Sequence, residues 1–214
     1  MPDTNATAAH RADSHAHWEG VYGKLADAEV SWYQERPATS LGLVTRTGKG
    51  PGAAVIDVGG GSSRLVDALV DAGFSRLAVL DVSETALEHA RRRLGDRAAR
   101  VLWIAADITR WRPDRTFDVW HDRALLHFLV DPADRAAYRA ALASAVPPGG
   151  QVIIGTFAPD GPEQCSGLPV VRWDAASLAA ELGHGYWLAE TLAEDHLTPK
   201  GKVQRFQFCR FERR

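Results

Sequence analysis

Cysteine is nearly absent from this sequence: Cys165 and Cys209 are the only two among 214 residues. They are too few and too far apart to build a disulfide framework or a zinc site, which points to a reducing, cytoplasmic setting and to no bound metal. Long apolar runs are lacking as well. No stretch approaches the ~18 to 20 residues that span a bilayer, and the polar segment Met1 to His17 has no apolar core of a signal peptide. Neither membrane insertion nor export is expected. Nor is there an excess of charge of one sign. The formal net charge is −2, which gives no general attraction to phosphate backbones or anionic membranes and argues against nucleic acid as a partner. Lysine is scarce, 4 against 21 arginines. The single dense basic run, Arg91-Arg92-Arg93, falls late in a predicted helix, where cations favour the macrodipole, and reads as a solvated helix end. Internal repeats, heptads and low-complexity linkers are missing too, which leaves one domain as the simplest organisation.

What is present is an alternation. From residue 53 onward, short β-branched runs alternate with helical patterns, as in βαβ units whose mostly parallel sheet is covered on both faces. Strands are predicted over Ala53 to Val58, Arg76 to Val82, Arg100 to Ala105, Phe117 to His121 and Gln151 to Phe157. Between them, Ser83 can cap a helix running to Leu94, Asp131-Pro132 opens another, and Asp174 caps a short one over Ala175 to Leu182. The last two runs, Tyr186 to His196 and Val203 to Phe211, are separated by six residues containing Pro199 and Gly201, too few for a parallel crossover. The chain therefore ends in an antiparallel hairpin. Residues 1–17 read as a disordered leader in which His10, His15 and His17 are solvated, and 18–214 as one domain. Within it, 18–50 carries Trp18, Tyr22, Leu25, Val30, Trp32 and Tyr33 among polar residues, a pattern for one or two amphipathic helices over the sheet's open edge.

The most specific feature is Val55-Ile56-Asp57-Val58-Gly59-Gly60-Gly61-Ser62-Ser63-Arg64, a buried strand entering a glycine turn and then a helix. Gly59 and Gly61 have no Cβ, so the backbone can turn tightly and approach a ligand, while the helix start offers free N–H groups. About twenty residues on, Asp81 ends the second strand, where a carboxylate can accept hydrogen bonds from ribose hydroxyls. Asp107 follows the third, placed to reach the exocyclic amine of adenine while Ile108 packs on the ring. Arg64 stands where a dinucleotide turn wants Gly or Ala, so an adenosine without a diphosphate fits better than NAD.

These residues resemble class I S-adenosylmethionine-dependent methyltransferases, from about Ala53 to the terminal hairpin. The resemblance implies a Rossmann-like three-layer α/β sandwich around a mostly parallel seven-stranded sheet, and S-adenosylmethionine as cofactor. It implies that Gly59 and Gly61 line the methionine portion, Asp81 holds the ribose, Val82 flanks the adenine, Asp107 with Ile108 reads its amine edge, and Asp57 steadies the turn. The family's usual third glycine is replaced by Ser63. His17-Trp18-Glu19-Gly20-Val21-Tyr22 with Ser31-Trp32-Tyr33 is similar to the opening of many small bacterial methyltransferases and of some lysine methyltransferases. In that group the segment folds over the cofactor, so Trp18, Tyr22, Trp32 and Tyr33 would close the site and exclude water.

Methyl transfer needs a nucleophile held in line, and little acid–base machinery. Where a base helps, His121 at the fourth strand end is the first candidate, with Asp122, Arg123 and His127 better read as structural. No Asn-Pro-Pro-Tyr type of signature is present, which disfavours methylation of nucleobase amines. Acceptor contacts are expected from Tyr22, Tyr33, His127 and Phe157 and from the loop after the fifth strand, where Cys165 reads as a partly buried, inert thiol. The expected activity is methylation of O, N or S on a small molecule. Protein lysine methylation is the alternative, and non-catalytic adenosine binding stands behind it. Neither the acceptor nor the oligomeric state follows from the sequence.

Overall fold

The computed structural model describes residues 14–214. The leader and His10 lie outside them up to residue 13, and 14–17, expected within the leader, already form the first turn of α1, which covers 14–22. After a 3-10 turn at Asp27–Glu29 come α2 (Ala38–Arg46), β1 (Ala54–Val58), α3 (Leu65–Asp71), β2 (Arg76–Asp81), α4 (Glu84–Leu94) and β3 (Val101–Ala105). The second half runs β4 (Val119–Arg123), α5 (Pro132–Ala145), β5 (Gln151–Phe157), a small hairpin β6 (Gln164–Cys165) and β7 (Leu168–Pro169), α6 (Ala175–Leu182), β8 (Tyr186–Leu197) and β9 (Val203–Arg213). The caps work as their chemistry suggests. Ser83 accepts from the Ala86 N–H, Asp131 from Ala133 with Pro132 at the first helical position, and Asp174 from Ser177.

The sheet order is β3-β2-β1-β4-β5-β9-β8. β1 to β5 are parallel, β9 runs antiparallel to β5, and β8 pairs antiparallel with β9. β1 and β5 are buried along their whole lengths because helices cover both faces. Alternation sorts the side chains. Ile56, Val58, Trp120 and Ile154 point to a core shared with α5 and α6, and Val55, Val119 and Ile153 to one shared with α2, α3 and α4. Strand order reverses between β1 and β4, so the crevice at that switch lies beyond their carboxyl ends.

Three expectations need correction. β4 starts two residues later than expected and continues to Arg123, because Phe117 is held back by its N–H bond to the Ala145 carbonyl at the end of α5, 2.7 Å. His121 is therefore inside a strand, not at its tip. The N-terminal segment is not only an edge cover: Leu43 and Val44 of α2 are buried in the face layer beside α3 and α1 lies across the strand ends, while Gln34 and Arg46 do reach the edge strand β8. Arg93 is not a solvated helix end. Arg92 does pair with Glu88 at the surface, but the Arg93 guanidinium turns inward to Asp67 (2.7 Å), Asp27 (2.9 Å) and the carbonyls of Ser62 (2.9 Å) and Ser63 (2.8 Å).

Candidate cofactor and acceptor site

The glycine turn opens where β1 stops. The Gly59 N–H bonds to the Leu80 carbonyl at 2.7 Å, and Gly59 and Gly61 take positive φ, 69° and 46°. A Cβ on Gly59 would lie 2.7 Å from Leu125 Cβ, and one on Gly61 would lie 2.7 Å from the Tyr22 hydroxyl and 3.0 Å from Asp81 Oδ2. The turn is thus glycine by conformation and by contact, since other side chains close in from two sides.

A cavity holding about 1060 Å³ of empty space, counting its open mouth, runs across the carboxyl ends of the strands. Its β1–β3 end is lined by Gly59, Asp81, Val82, Ala106, Asp107 and Ile108. Asp81 is buried, with Oδ1 accepting from the Ser83 N–H at 2.9 Å. Burial lifts its carboxyl to about 7, and Asp57 adds to the lift, against the pull of the Ser83, Gly61 and Val82 N–H groups. Such a carboxyl gains from hydroxyl donors of a ligand, so the residues present fit a ribose. Asp107 is committed in part to its own turn, because Oδ1 accepts from both Thr109 N (2.8 Å) and Thr109 Oγ1 (2.7 Å).

A smaller recess on the other side of Gly59 is lined by Asp57, Ser62, Ser63, Arg64, His121, Tyr33 and Arg123. Parallel pairing sets Asp57 opposite His121 on one sheet face, and Asp57 Oδ1 meets His121 Nδ1 at 2.7 Å. His121 Nε2 is buried and has no hydrogen-bond partner, as is Arg64 Nε at the start of α3. Two unpartnered polar atoms beside a glycine turn suit the charged, amino-acid end of a ligand.

Aromatic rings roof the cavity. Trp18 of α1 stands edge-on to Trp32 (5.7 Å) and Phe128 (5.0 Å), and Tyr22 to Trp32 (6.0 Å). Glu19 Oε1 accepts from the Thr85 N–H at 3.2 Å, which fixes α1 to the start of α4. The segment after α1 is tied to the far hairpin. The Ser31 carbonyl meets His196 Nε2 (2.7 Å), the Trp32 carbonyl accepts from Arg123 Nη1 (3.0 Å), and Gln34 Nε2 donates to Glu194 Oε1 (3.0 Å).

Of the expected site residues, Trp18, Tyr22, Trp32, Gly59, Asp81, Val82, Asp107, Ile108 and Cys165 line the main cavity, and Tyr33, Asp57 and His121 the recess. Gly61, closed off by Tyr22 and Asp81, lines neither. Nor do His127 and Phe157. Both are fully buried beneath the roof, with His127 packed on the Phe157 ring at 4.8 Å, and burial with the nearby Arg123 charge drives the imidazole down to about 3. Hydrophobic surroundings took both from the acceptor site. The Cys165 thiol is buried and pushed up to about 11, in line with an inert group. Missed by sequence were Phe128, Gln204 and Phe206, which line the β4–β9 end of the cavity together with Arg123, a residue read from sequence as structural.

Asp122 explains how the crevice keeps its shape. Its carboxylate accepts from the N–H groups of Leu125 (2.9 Å) and Leu126 (3.1 Å) and from Tyr138 Oη (2.8 Å), holding a turn in which Ala124 takes φ 73°. Burial raises its carboxyl to about 6 despite those bonds.

Comparison with known proteins agrees with this fold. The model of a methyltransferase domain family matches residues 55–150. Among solved structures, that from the work on conversion of a disulfide bond into a thioacetal group during echinomycin biosynthesis is 20% identical, covering 94% of this chain and 92% of its own, with a TM-score of 0.74. The 1,6-didemethyltoxoflavin-N1-methyltransferase of Burkholderia thailandensis, solved with 1,6-didemethyltoxoflavin and S-adenosylhomocysteine, is 20% identical over 100% of this chain and 91% of that one, TM-score 0.70. The chain has the class I S-adenosylmethionine-dependent methyltransferase fold. By sequence, the eEF1A lysine and N-terminal methyltransferase of Mus musculus is 26% identical over 126 residues, 58% of this chain, which spans only 18% of that protein's length.

Proposed function

We propose that the protein binds S-adenosylmethionine and transfers its methyl group to a small molecule. One observation carries this: a single cavity joins the acidic ends of β2 and β3 to an aromatic end at β4 and β9, passing the glycine turn at the strand switch. Bound there, the cofactor supplies a methyl group activated by a sulfonium. Asp81 accepts from its ribose, Val82 and Ile108 flank the adenine, Asp107 takes its amine, and Gly59 and Gly61 admit its methionine portion. Asp57 orients His121, whose free Nε2 reaches the amino-acid end or the acceptor. Trp18, Tyr22, Trp32 and Tyr33 keep water out, so that residues 18–50 act as the cover of one domain. Several neighbours in fold bind the same compounds, among them the N-methyltransferase NodS of Bradyrhizobium japonicum, solved with S-adenosylhomocysteine. Both thiols are buried and free, as suits a cytoplasmic protein, and no helix among the described residues is long and apolar enough to cross a membrane.

The first test incubates the protein with methyl-labelled S-adenosylmethionine and a cell extract, then counts label in metabolites and in macromolecules. Label in metabolites is expected. Label in protein alone would replace this function with protein methylation, the curated relatives being named as lysine and N-terminal methyltransferases.

A further inference from the structure

The β4–β9 end of the cavity has a chemistry of its own. Its walls are Trp18, Trp32, Phe128, Leu129 and Phe206, rings and an aliphatic chain, and its neutral thiol is Cys165. Two polar features interrupt them. Gln204, near the start of β9, has its Oε1 buried with no hydrogen-bond partner. Arg123, at the end of β4, is a buried cation whose Nε and Nη2 have no hydrogen-bond partner, with Glu194 Oε1 at 3.6 Å and the Phe206 ring centroid 4.5 Å from Cζ. The carboxylates Asp81 and Asp107 sit at the opposite, β2–β3 end, and Asp134, which also lines the cavity, is not a free carboxylate, having an interaction of its own.

These features select among acceptors. An alkylammonium such as a lysine side chain wants a carboxylate or an open aromatic cage. Here the rings of the roof touch one another edge to face, and the charge beside them is a guanidinium already paired with Glu194, which leaves that carboxylate committed and offers a cation no free partner. Ring-lined walls gain most from a flat ring laid against them. A buried amide oxygen without a partner gains from an N–H or O–H on that ring's edge and penalises a ligand that lacks one.

We propose that the acceptor is a planar, uncharged aromatic or heteroaromatic molecule carrying an N–H or O–H on its edge, and that Gln204 is the residue that reads that edge. The inference rests on the methyl-transfer function above. Gln204 is a specificity residue: it touches the acceptor and takes no part in holding the cofactor, whose proposed contacts come from β1 to β3, from His121 and from the roof.

Three compounds on one ring test it: 2-naphthol with its O–H donor, naphthalene without it, and 2-(aminomethyl)naphthalene as the cation. Their binding to the full chain saturated with S-adenosylhomocysteine is measured by calorimetry, on the parent protein and on Gln204→Leu. The expected order is 2-naphthol at least about tenfold tighter than naphthalene, with the cation weakest. Gln204→Leu removes that preference, leaves naphthalene as tight or tighter, and leaves S-adenosylhomocysteine affinity unchanged. A merely structural role would weaken all ligands together. Equal binding of 2-naphthol and naphthalene, tightest binding of the cation, or no binding of any of the three would each overturn the inference while leaving the cofactor assignment standing. Failure to bind S-adenosylhomocysteine at all would instead remove the function on which the inference rests.

Discussion

Asp81 is the residue on which cofactor binding should turn, and its environment gives that binding a pH dependence. The carboxyl is raised to about 7 by burial, whereas a ribose hydroxyl donates to the ionised form. Ligand binding must therefore expel a proton below pH 7. The expected result is S-adenosylhomocysteine affinity that is flat above pH 7.5 and falls by up to about tenfold per unit below pH 7, with proton release detectable as a buffer-dependent heat. In Asp81→Asn the slope disappears, and affinity drops by about one to two decades, the worth of hydrogen bonds to a charged group. A slope that survives in the variant would move the titration to another group. The same shift acts on folding with the opposite sense. Between the unfolded value of 3.8 and about 7 the native state holds a proton that the unfolded chain has lost, so this carboxyl takes stability away as pH rises through that window.

Among the elements, the glycine turn is held from both sides. In front, Gly61 gives way to Tyr22 and Asp81. In Gly61→Ala the new Cβ meets the Tyr22 hydroxyl, and we expect loss of S-adenosylhomocysteine binding together with a shift in tryptophan fluorescence from the displaced roof. Adding Tyr22→Phe removes the atom in conflict. Part of the affinity should return, the remainder being the strain of a side chain at φ 46° and its close approach to Asp81. No recovery in the double variant would mean that backbone strain and the Asp81 contact, not the Tyr22 hydroxyl, account for the loss. Behind the turn, Arg93 joins two turn carbonyls to Asp67 and Asp27. Arg93→Ala strands those partners, and a cost of about 3 kcal/mol is expected from the denaturation midpoint, with weaker cofactor binding; a cost under about 0.5 kcal/mol would return Arg93 to the surface class. Its role shows how far sequence reaches. The strand, the glycines, the acids and the helix caps were legible because each obeys a local rule of spacing or conformation. Arg93 sits in a run of three arginines with identical local chemistry, and only helix rotation against α3 picks out the one that turns inward. Gln204 and Phe206 were hidden for a related reason, since strand alternation assigns a face but not which end of a hairpin passes a cavity.

At the scale of the whole molecule, the roof and the C-terminal hairpin form one closure. Chain segments 31–34 and 194–206 are far apart in sequence, yet two side-chain bonds, His196 to Ser31 and Gln34 to Glu194, sew them together over the acceptor end, and Arg123 of β4 bridges them by bonding the Trp32 carbonyl beside Glu194. A ligand bound beneath the roof can be held only while those ties are closed, so its apparent affinity scales with the closed fraction. Opening of this closure should cost less than global unfolding, because its ties are few and partly exposed while β1 and β5 are buried throughout. Hydrogen exchange should then show S-adenosylhomocysteine protecting both segments together, with little change in β1 to β5. Glu194→Ala removes the acceptor of Gln34 and the counter-charge of Arg123. Protection should fall in both segments by a common factor, and ligand affinity should fall with it, reaching about tenfold if the closed fraction drops to a tenth. Loss of protection confined to the hairpin would show instead that the roof stands by its own aromatic packing, and that α1, anchored through Glu19 at the start of α4, closes the site without help from the C-terminus.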